Sequence, residues 1–215
     1  MDTLLIRLIG PMQSWGVQSR FGIRDTGRDP SKSGVIGLLC AALGRPRSAP
    51  VHDLANLRMG VRVDCEGALA VDYHTAQDVY RASGSIKPTE LSRRYFLENA
   101  AFLVGLEGPK SLLQSLHAAL QNPHWMLFLG RKAFVPGAPV WLKDGLRCEE
   151  TLETALQHYP LLASTQEEKL RLILEDPGGE QVRPDVPISF ADRQFSNRRV
   201  RVGFMPTPQE MLEVI

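Results

Sequence analysis

Short apolar segments separated by polar or glycine-rich stretches make up the first two-thirds of the chain. Residues 4–9 are aliphatic and end at a Gly-Pro pair, which predicts a strand. Residues 57–65 alternate in the manner of a strand, and residues 68–73 are expected to be its hairpin partner across a Glu-Gly turn. Residues 100–106 and 125–129 predict two more short strands. Strands therefore dominate this part of the predicted fold.

Two segments between the predicted strands have the features of helices. Residues 34–43 follow Ser31 and Ser33, either of which could be the N-cap, and they end at Gly44. Residues 109–120 begin at a proline and carry leucines on one face. Those leucines are Leu112, Leu113, Leu116 and Leu120. The order β-α-β(β)…β-α-β is that of a ferredoxin-like α+β domain, on which RNA-recognition modules are built.

The longest interruption of the apolar pattern is residues 10–32, which carry many Gly, Arg, Ser and Asp side chains. Long loops inside compact domains tend to be functional. Arg20, Arg24 and Arg28 recur every four residues, and guanidinium groups pair bidentately with phosphates. The net charge of the whole chain is only +1, but residues 7–47 hold seven basic side chains against two acidic ones. This asymmetry indicates an anionic partner.

The start of the first predicted helix lies beside this loop. Lys32 precedes the helix, and free backbone amides near Ser33 would add a phosphate site to the arginines. Trp15 is expected to pack at least partly in the core, although aromatic rings in such a loop can also stack on unpaired bases. The loop and helix start are therefore predicted to bind an RNA backbone together.

Three further basic segments are candidate RNA contacts. Residues 76–94 are polar and could project between two strands as a basic finger, a glycine turn follows residue 129, and a third cluster lies near the C-terminus. Their basic residues are Arg81, Lys87, Arg93 and Arg94 in the finger, Arg131 and Lys132 in the turn, and Arg198, Arg199 and Arg201 in the last cluster.

Residues 72–75 (Asp-Tyr-His-Thr) are the strongest candidate for chemistry. A histidine beside a tyrosine could act as acid or base in RNA cleavage through the 2′-hydroxyl, and it could equally hydrogen-bond or stack on a nucleotide. The chain has no P-loop, no GxGxxG after a strand, no HExxH and no GxSxG. It also lacks the acidic cluster of a Mg²⁺ nuclease. We therefore expect no metal and no cofactor.

The cysteines and the length of the apolar runs predict where in the cell the protein lies. The three cysteines, at positions 40, 65 and 148, form no CxxC pair, which suits a reducing cytoplasm. No run of about 18 apolar residues is present, so no membrane span is expected.

Four motifs together resemble one family, the CasD subunits of type I-E CRISPR Cascade complexes, in the RAMP superfamily. The motifs are residues 8–16 (LIGPMQSWG), 26–39 (TGRDPSKSGVIGLL), 72–75 (DYHT) and 128–132 (FLGRK). They match in order over about residues 4–142, and residues 193–195 (Arg-Gln-Phe) resemble a late family motif. Asn99 stands where the family pattern has an acid, so a contact assigned to that acid is not transferred.

The resemblance implies both an architecture and a function. It implies a ferredoxin-like domain over residues 1–139 with a projecting β-hairpin thumb at about 76–94, and a small C-terminal subdomain over residues 140–215. It also implies a non-catalytic subunit of an antiviral surveillance complex that binds the repeat-derived 5′ handle of the guide RNA and caps the backbone. Its partners would be the last backbone subunit and the large subunit, with target DNA reached indirectly through the complex and no membrane.

The expected RNA contacts come from the loop, the handle pocket and the thumb. They are Arg20, Arg24, Arg28, Lys32 and Ser33 in the loop and helix start, Tyr73, His74, Arg131 and Lys132 around the pocket, and Arg81, Lys87, Arg93 and Arg94 on the thumb.

Two alternatives to this function stay open. Relatives in type I-C systems cut RNA, so the chain could be a metal-independent endoribonuclease of repeat RNA that uses His74 with Tyr73 or Lys132. A protein-interaction module with incidental basic charge is the other alternative, and it predicts that no RNA accompanies the purified complex.

Overall fold

The computed structural model describes residues 1–17 and 22–211 and contains helices and mostly antiparallel strands, which confirms the α+β class. In chain order the elements are β1 Asp2–Ile9, β2 Met12–Gln13, β3 Ile23–Arg24, α1 Lys32–Leu43, α2 His52–Ala55, β4 Arg58–Cys65, β5 Ala68–Tyr80, β6 Ile86–Glu98, β7 Ala101–Gly108, α3 Lys110–Gln121, β8 Leu146–Arg147, α4 Leu152–His158, β9 Lys169–Glu175, β10 Gln181–Ser189 and β11 Gln194–Pro206. Among the described helices, none is both long and apolar enough to cross a bilayer.

The described strands form two sheets. The larger sheet has seven strands in the order β10–β11–β9–β4–β7–β1–β8. In the smaller sheet, β6 is the central strand, with β5 along one side and both β2 and β3 along the other. The chain passes from the larger sheet to the smaller one after β4 and returns at β7.

The larger sheet is covered on both faces around β1 and β7, which explains why these two strands are mainly aliphatic. Leu4, in β1, belongs to one buried cluster with side chains of α1 and α3, and its neighbour Leu5 belongs to a second cluster with α4. Two glycines allow α4 to approach the sheet. A Cβ on Gly105 would lie 2.5 Å from Leu152, and a Cβ on Gly60 would lie 2.7 Å from Leu156.

The predicted helices are confirmed, and the N-cap of the first is settled. Ser31 caps α1, since its hydroxyl accepts a hydrogen bond from the amide of Gly34 at 3.3 Å. α1 ends at Gly44 with φ +70°, a left-handed conformation that favours glycine. α3 begins directly after Pro109, as predicted. Ser33 is therefore inside the helix.

The predicted pairing of residues 68–73 with residues 57–65 is wrong. Gly67 has φ +67°, and a Cβ at this position would lie 2.5 Å from the carbonyl oxygen of Glu98. This tight turn sends the chain out of the larger sheet, so β5 pairs with β6 instead, from Ala68↔Glu98 to Tyr80↔Ile86. The projecting hairpin is therefore longer than the predicted finger at 76–94.

The predicted strand at residues 125–129 is also wrong. The amides of His124 and Trp125 donate to the last turn of α1, at the carbonyl oxygens of Ala42 and Ala41 (2.9 and 3.1 Å). The place beside β1 is taken by β8 and by loop contacts such as Leu5 N–H to Gly145 C=O at 2.7 Å. These bonds satisfy the edge of β1 without a strand at 125–129.

The C-terminal strands continue the larger sheet. β9 pairs antiparallel with β4, from Gly60↔Leu174 to Val63↔Arg171, and β11 and β10 follow it outward. Side chains from this region, among them Ile173 and Val200, lie in the same buried cluster as α1 and α3. The division of the chain at residues 139 and 140 stays a prediction.

Candidate nucleic-acid interface

Positive charge concentrates at the base of the β5–β6 hairpin, where the loop of residues 10–32, called here the arginine loop, joins it. β3 pairs in parallel with β6, with Arg24 beside Arg94. Asp72, in β5, lies directly opposite Arg94. Neighbouring residues of adjacent strands share a face of the sheet, so these three side chains lie on the same face.

Arg131 adds a third guanidinium to this face. Its Nη2 donates to the carbonyl oxygens of Tyr95 (2.9 Å) and Arg24 (3.3 Å), and its guanidinium carbon lies 5.3 Å from the ring centre of Phe134. Burial lowers the pKa of Arg131, and the nearby Arg94 and Arg24 charges lower it further, against the opposite effects of Asp72 and Asp25. Three arginines therefore converge at a point that favours an anion.

His74 extends the same face, whereas Tyr73 does not. His74 Nε2 lies 2.6 Å from Asp72 Oδ2, and both side chains are half-exposed. Tyr73 is the intervening residue of β5, so its side chain lies on the opposite face of the hairpin, where it is 58% exposed. Of the residues predicted around the pocket, His74 and Arg131 thus lie on one face, together with Arg94 of the predicted thumb, and Tyr73 is separated from them.

The outer basic residues of the hairpin do not form a single flank. Arg93 and Lys87 lie opposite Tyr73 and Val79, on the Tyr73 face, whereas Arg94 lies on the Asp72 face. Lys87 is ion-paired with Glu90. Arg81 lies in the exposed turn, where its amide donates to Ser85 at 2.9 Å. Strand alternation therefore corrects the expectation that Arg81, Lys87, Arg93 and Arg94 act as one surface.

The second half of the arginine loop packs against the C-terminal strands. Asp29 is buried and accepts from Arg171 at 3.1 Å and from Arg183. Arg28 is exposed, and its carbonyl oxygen accepts from Arg171 at 3.1 Å. An open cleft of about 420 Å³ separates Arg28 from Arg183, with Trp15 among its lining residues. Arg20 lies outside the described residues.

Lys32 does not bind phosphate, contrary to the sequence prediction. The side chain is only 1% exposed, and its Nζ lies 2.9 and 2.8 Å from the two carboxylate oxygens of Glu175. Burial lowers the pKa of Lys32, and Glu175 opposes that effect. An external phosphate cannot reach an ammonium group that is buried and already paired, so Lys32 is removed from the RNA contacts.

The helix start near Ser33 is likewise occupied from within the protein. The Lys32 amide donates to Asp185 Oδ2 at 2.8 Å, and the Gly34 amide donates to Ser31. Asp185 is buried and also holds Arg198 at 2.7 Å. An internal carboxylate therefore takes the place predicted for an RNA phosphate, which corrects the assignment of Ser33.

The structure also places the remaining predicted residues. Lys132 is exposed beside Arg131. Trp15 is 2% exposed, and its indole N–H donates to Gln13 at 3.2 Å, which confirms the predicted core position. Sequence reasoning missed Asp72 as the partner of His74, although a spacing of two residues on a strand places both side chains on one face. That spacing was the available signal.

Comparison with known proteins gives one family. The family model described as CRISPR-associated protein (Cas_Cas5) matches residues 3–201. The CRISPR system Cascade subunit CasD of Escherichia coli (strain K12) is 29% identical over 215 residues, which cover 91% of this chain and 92% of the relative. A chain from a crystal structure of a Cas protein superposes with a TM-score of 0.81 and 49% identity, covering 96% of this chain and 97% of its own.

A chain from the solved structure of a CRISPR RNA-guided surveillance complex also matches. Its TM-score is 0.81 and its identity 35%, with coverage of 96% of this chain and 91% of its own. The family model spans nearly the whole sequence, and both structural matches agree with it. The chain belongs to the CRISPR-associated Cas5 family.

Proposed function

We propose that this chain is a subunit of a Cascade-type CRISPR surveillance complex and that it holds the repeat-derived 5′ handle of the guide RNA at the base of its hairpin. The observation that carries the proposal is the convergence of Arg24, Arg94 and Arg131 on one face of the smaller sheet. The named relatives support it, since one is a Cascade subunit and another is part of an RNA-guided surveillance complex.

The chemistry of this face suits a single-stranded RNA end. Arg24 and Arg94 can pair with phosphate oxygens through two N–H groups each. His74, held beside Asp72, offers an imidazole that can hydrogen-bond to or stack on an unpaired base. Exposed cations outside the Tyr73 face are proposed as outer phosphate contacts. They are Arg28, Arg81 and Lys132. Lys87 and Arg93 lie on the Tyr73 face, away from the three arginines, and stay predictions.

We infer that the bound handle is held and not cut. An acid and a base that act on one ribose must reach it from positions within hydrogen-bonding distance. Tyr73 and His74 lie on opposite faces of β5, so they do not act together on one nucleotide, which leaves His74 with Lys132 as the pair that the endoribonuclease alternative requires. The chain would then act as a scaffold in the cytoplasm, capping the backbone and contacting the large subunit, with target DNA reached through the complex.

Arginine substitutions in the assembled complex test the binding site. The variants Arg24→Ala and Arg94→Ala should each weaken handle binding and reduce the slope of log K against log salt concentration by about one unit. Arg45→Ala is the matched control, because Arg45 pairs with Asp53 at the opposite end of α1. Handle affinity and complex assembly that stay at the parent level in both test variants would contradict the proposal.

Cleavage is tested separately with the pure chain. Repeat RNA is incubated with the protein in EDTA, and intact RNA is expected throughout. Specific cutting that disappears in His74→Ala would establish the endoribonuclease alternative in place of a scaffold. A complex that contains no nucleic acid, measured by its absorbance ratio at 260 and 280 nm, would favour a protein-interaction module instead.

A further inference from the structure

The long strand β5 has one free edge. It is a 13-residue strand, and among the described residues its ladder partner is β6 alone. β6 is flanked on its far side by β2 and β3. The side of β5 that faces away from β6 therefore presents backbone groups that no described strand pairs.

The hydrogen bonds of β6 reveal which residues of β5 face outward. The Arg93 amide donates to Gly22 C=O at 2.8 Å, and Tyr95 C=O accepts from Arg131 at 2.9 Å, so these groups point away from β5. Residues opposite each other in an antiparallel ladder either exchange both hydrogen bonds or both point outward. Tyr73 and Val71, opposite Arg93 and Tyr95, therefore turn their N–H and C=O groups to the free edge.

The same alternation extends this set by one residue at each end. We call Leu69, Val71, Tyr73 and Thr75 the outer-edge residues. Their first three side chains are apolar and 47%, 52% and 58% exposed, on the face opposite Asp72 and His74. The backbone groups available for pairing and the exposed apolar side chains thus belong to the same residues.

Lysine, arginine and proline, which oppose strand pairing, are absent from this edge. β5 contains none of the three, and its two aspartates, Asp72 and Asp78, are not outer-edge residues. β10, at the edge of the larger sheet, carries Pro184 and Pro187. Natural proteins protect exposed edges with lysine, proline or short strands, so a long unprotected edge is a template for another strand.

We propose that the outer edge of β5 accepts an extended segment of a neighbouring protein subunit by strand addition. The segment pairs with the backbone of the outer-edge residues and carries apolar side chains at alternate positions, which pack across from Leu69, Val71 and Tyr73. This inference rests on the proposed function for the identity of the assembly. It assigns RNA to the Asp72 face of the hairpin and a protein subunit to its edge.

A protein segment fits this edge better than nucleic acid does. The edge offers alternating N–H donors and C=O acceptors, and a peptide backbone matches both. Phosphates accept hydrogen bonds and donate none, so RNA could reach the carbonyl groups only through its 2′-hydroxyls, whereas a peptide supplies donors and acceptors in the alternation of the edge itself.

Residue-resolved hydrogen–deuterium exchange tests the pairing in three samples: the chain alone, the chain with guide RNA, and the complete complex purified through a tag on this chain. We expect the outer-edge amides to exchange freely in the first two samples and at least ~100-fold more slowly in the complex. The amides of Asp72 and His74 bond toward β6, so they serve as internal controls that are protected in every sample.

Each alternative gives a different result. Free exchange of the outer-edge amides in a complex that contains RNA overturns the inference and leaves handle binding intact. Protection by guide RNA alone, or in a self-associated chain alone, also overturns it, because the occupant would then be nucleic acid or a second copy. Protection in a complex that contains no RNA supports strand addition and contradicts the proposed function.

A proline substitution, which removes one backbone N–H group, tests the same edge of β5. Val71→Pro removes an outward N–H without removing a β5–β6 hydrogen bond, and Val71→Thr is the matched control that keeps both the N–H and the branched side chain. We expect Val71→Pro to speed exchange of the other outer-edge amides in the complex by at least ~10-fold. Unchanged exchange and unchanged capture of the neighbouring subunit overturn the proposal, with the control amides of Asp72 and His74 reporting that the hairpin is folded.

Discussion

Arg62 is a completely buried cation, and its removal should be among the most destabilising single changes in the chain. The guanidinium makes five hydrogen bonds: two to Asp64 (2.7 and 2.8 Å), two to the carbonyl oxygens of Leu156 and Tyr159 (2.8 and 2.5 Å), and one to that of Pro160 (2.8 Å). The partners lie in β4, in α4 and directly after α4. Arg62 therefore links the end of α4 to the larger sheet.

The variant Arg62→Met leaves Asp64 buried without its counter-charge. Asp64 would keep one donor, the Leu162 amide at 2.8 Å. Removing one partner of a buried ion pair costs about 3–5 kcal/mol, and the loss should lie toward the upper end because three backbone carbonyl groups also lose their donor. Since domains of this kind have unfolding free energies of about 5–15 kcal/mol, the loss is a large fraction of the total.

Urea unfolding followed by far-UV circular dichroism measures this loss. With an m-value of roughly 2–3 kcal/mol/M, the midpoint should fall by about 1–2 M. The double variant Arg62→Met/Asp64→Asn should be more stable than Arg62→Met alone, because it removes the uncompensated charge. Arg45→Met is the control, and loss of its partly exposed pair with Asp53 should cost less than about 1 kcal/mol.

Two results would refute this reasoning. A midpoint for Arg62→Met close to that of Arg45→Met would mean that water or relaxation satisfies Asp64 and the carbonyl groups. A double variant that is less stable than Arg62→Met would mean that the uncompensated charge is not the source of the loss.

Three further substitutions should change stability, and the first of them should leave RNA binding unchanged. Lys32→Met should lower the urea midpoint by about 0.5–1 M, less than Arg62→Met, because Glu175 loses its buried partner but keeps the Met59 amide and Arg198, while handle affinity at matched salt stays unchanged. Burial raises the pKa of Asp185, but its arginine partner and the helix-start amide lower it more, so its contribution to stability is present above its ordinary pKa and is lost as the pH falls through the lowered one. Asp185→Asn should therefore reduce the acid dependence of the urea midpoint, and an unchanged acid profile would contradict this. Gly67→Ala should destabilise the chain by about 1–3 kcal/mol in the same unfolding assay, since it has a left-handed backbone and its Cβ would meet Glu98 C=O at 2.5 Å.

Elements determined by local pattern could be predicted from the sequence. β1 and β7 are aliphatic runs because both of their faces are covered, and α1 and α3 have a capping serine and a starting proline. The thumb predicted at 76–94 is too short, because the alternation of residues 68–73 is also typical of a strand in the main sheet, and the exposure of both faces of β5 cannot be read from it. Residues 125–129 are apolar without forming a strand, since other backbone already pairs with the edge of β1.

The charge of each candidate residue could be read from the sequence, but which charges the fold pairs internally could not. Arg24, Arg94 and Arg131 meet because a parallel pairing of β3 with β6 joins segments distant in sequence, which no local pattern encodes. Lys32 has the same charge but belongs to the interior, because Glu175 reaches it from 143 positions away. A basic residue in a loop thus identifies an anion site only when the fold brings no acid to it.

Whether a cation is paired within the protein explains why the two parts of the arginine loop differ. At the end of the loop, Asp29 pairs with Arg171, and Glu175 and Asp185 hold Lys32 and the first amide of α1, so Lys32 and the helix start are closed to phosphate. Around Arg24, the three guanidiniums at the hairpin base outnumber the carboxylates whose charges oppose them at Arg131, those of Asp72 and Asp25. This positive charge lies on the Asp72 face of the hairpin, whereas the apolar side chains of the outer-edge residues lie on the other face. An RNA end bound at the Asp72 face and a protein strand bound at the outer edge of β5 would therefore occupy the same hairpin without competing for its side chains.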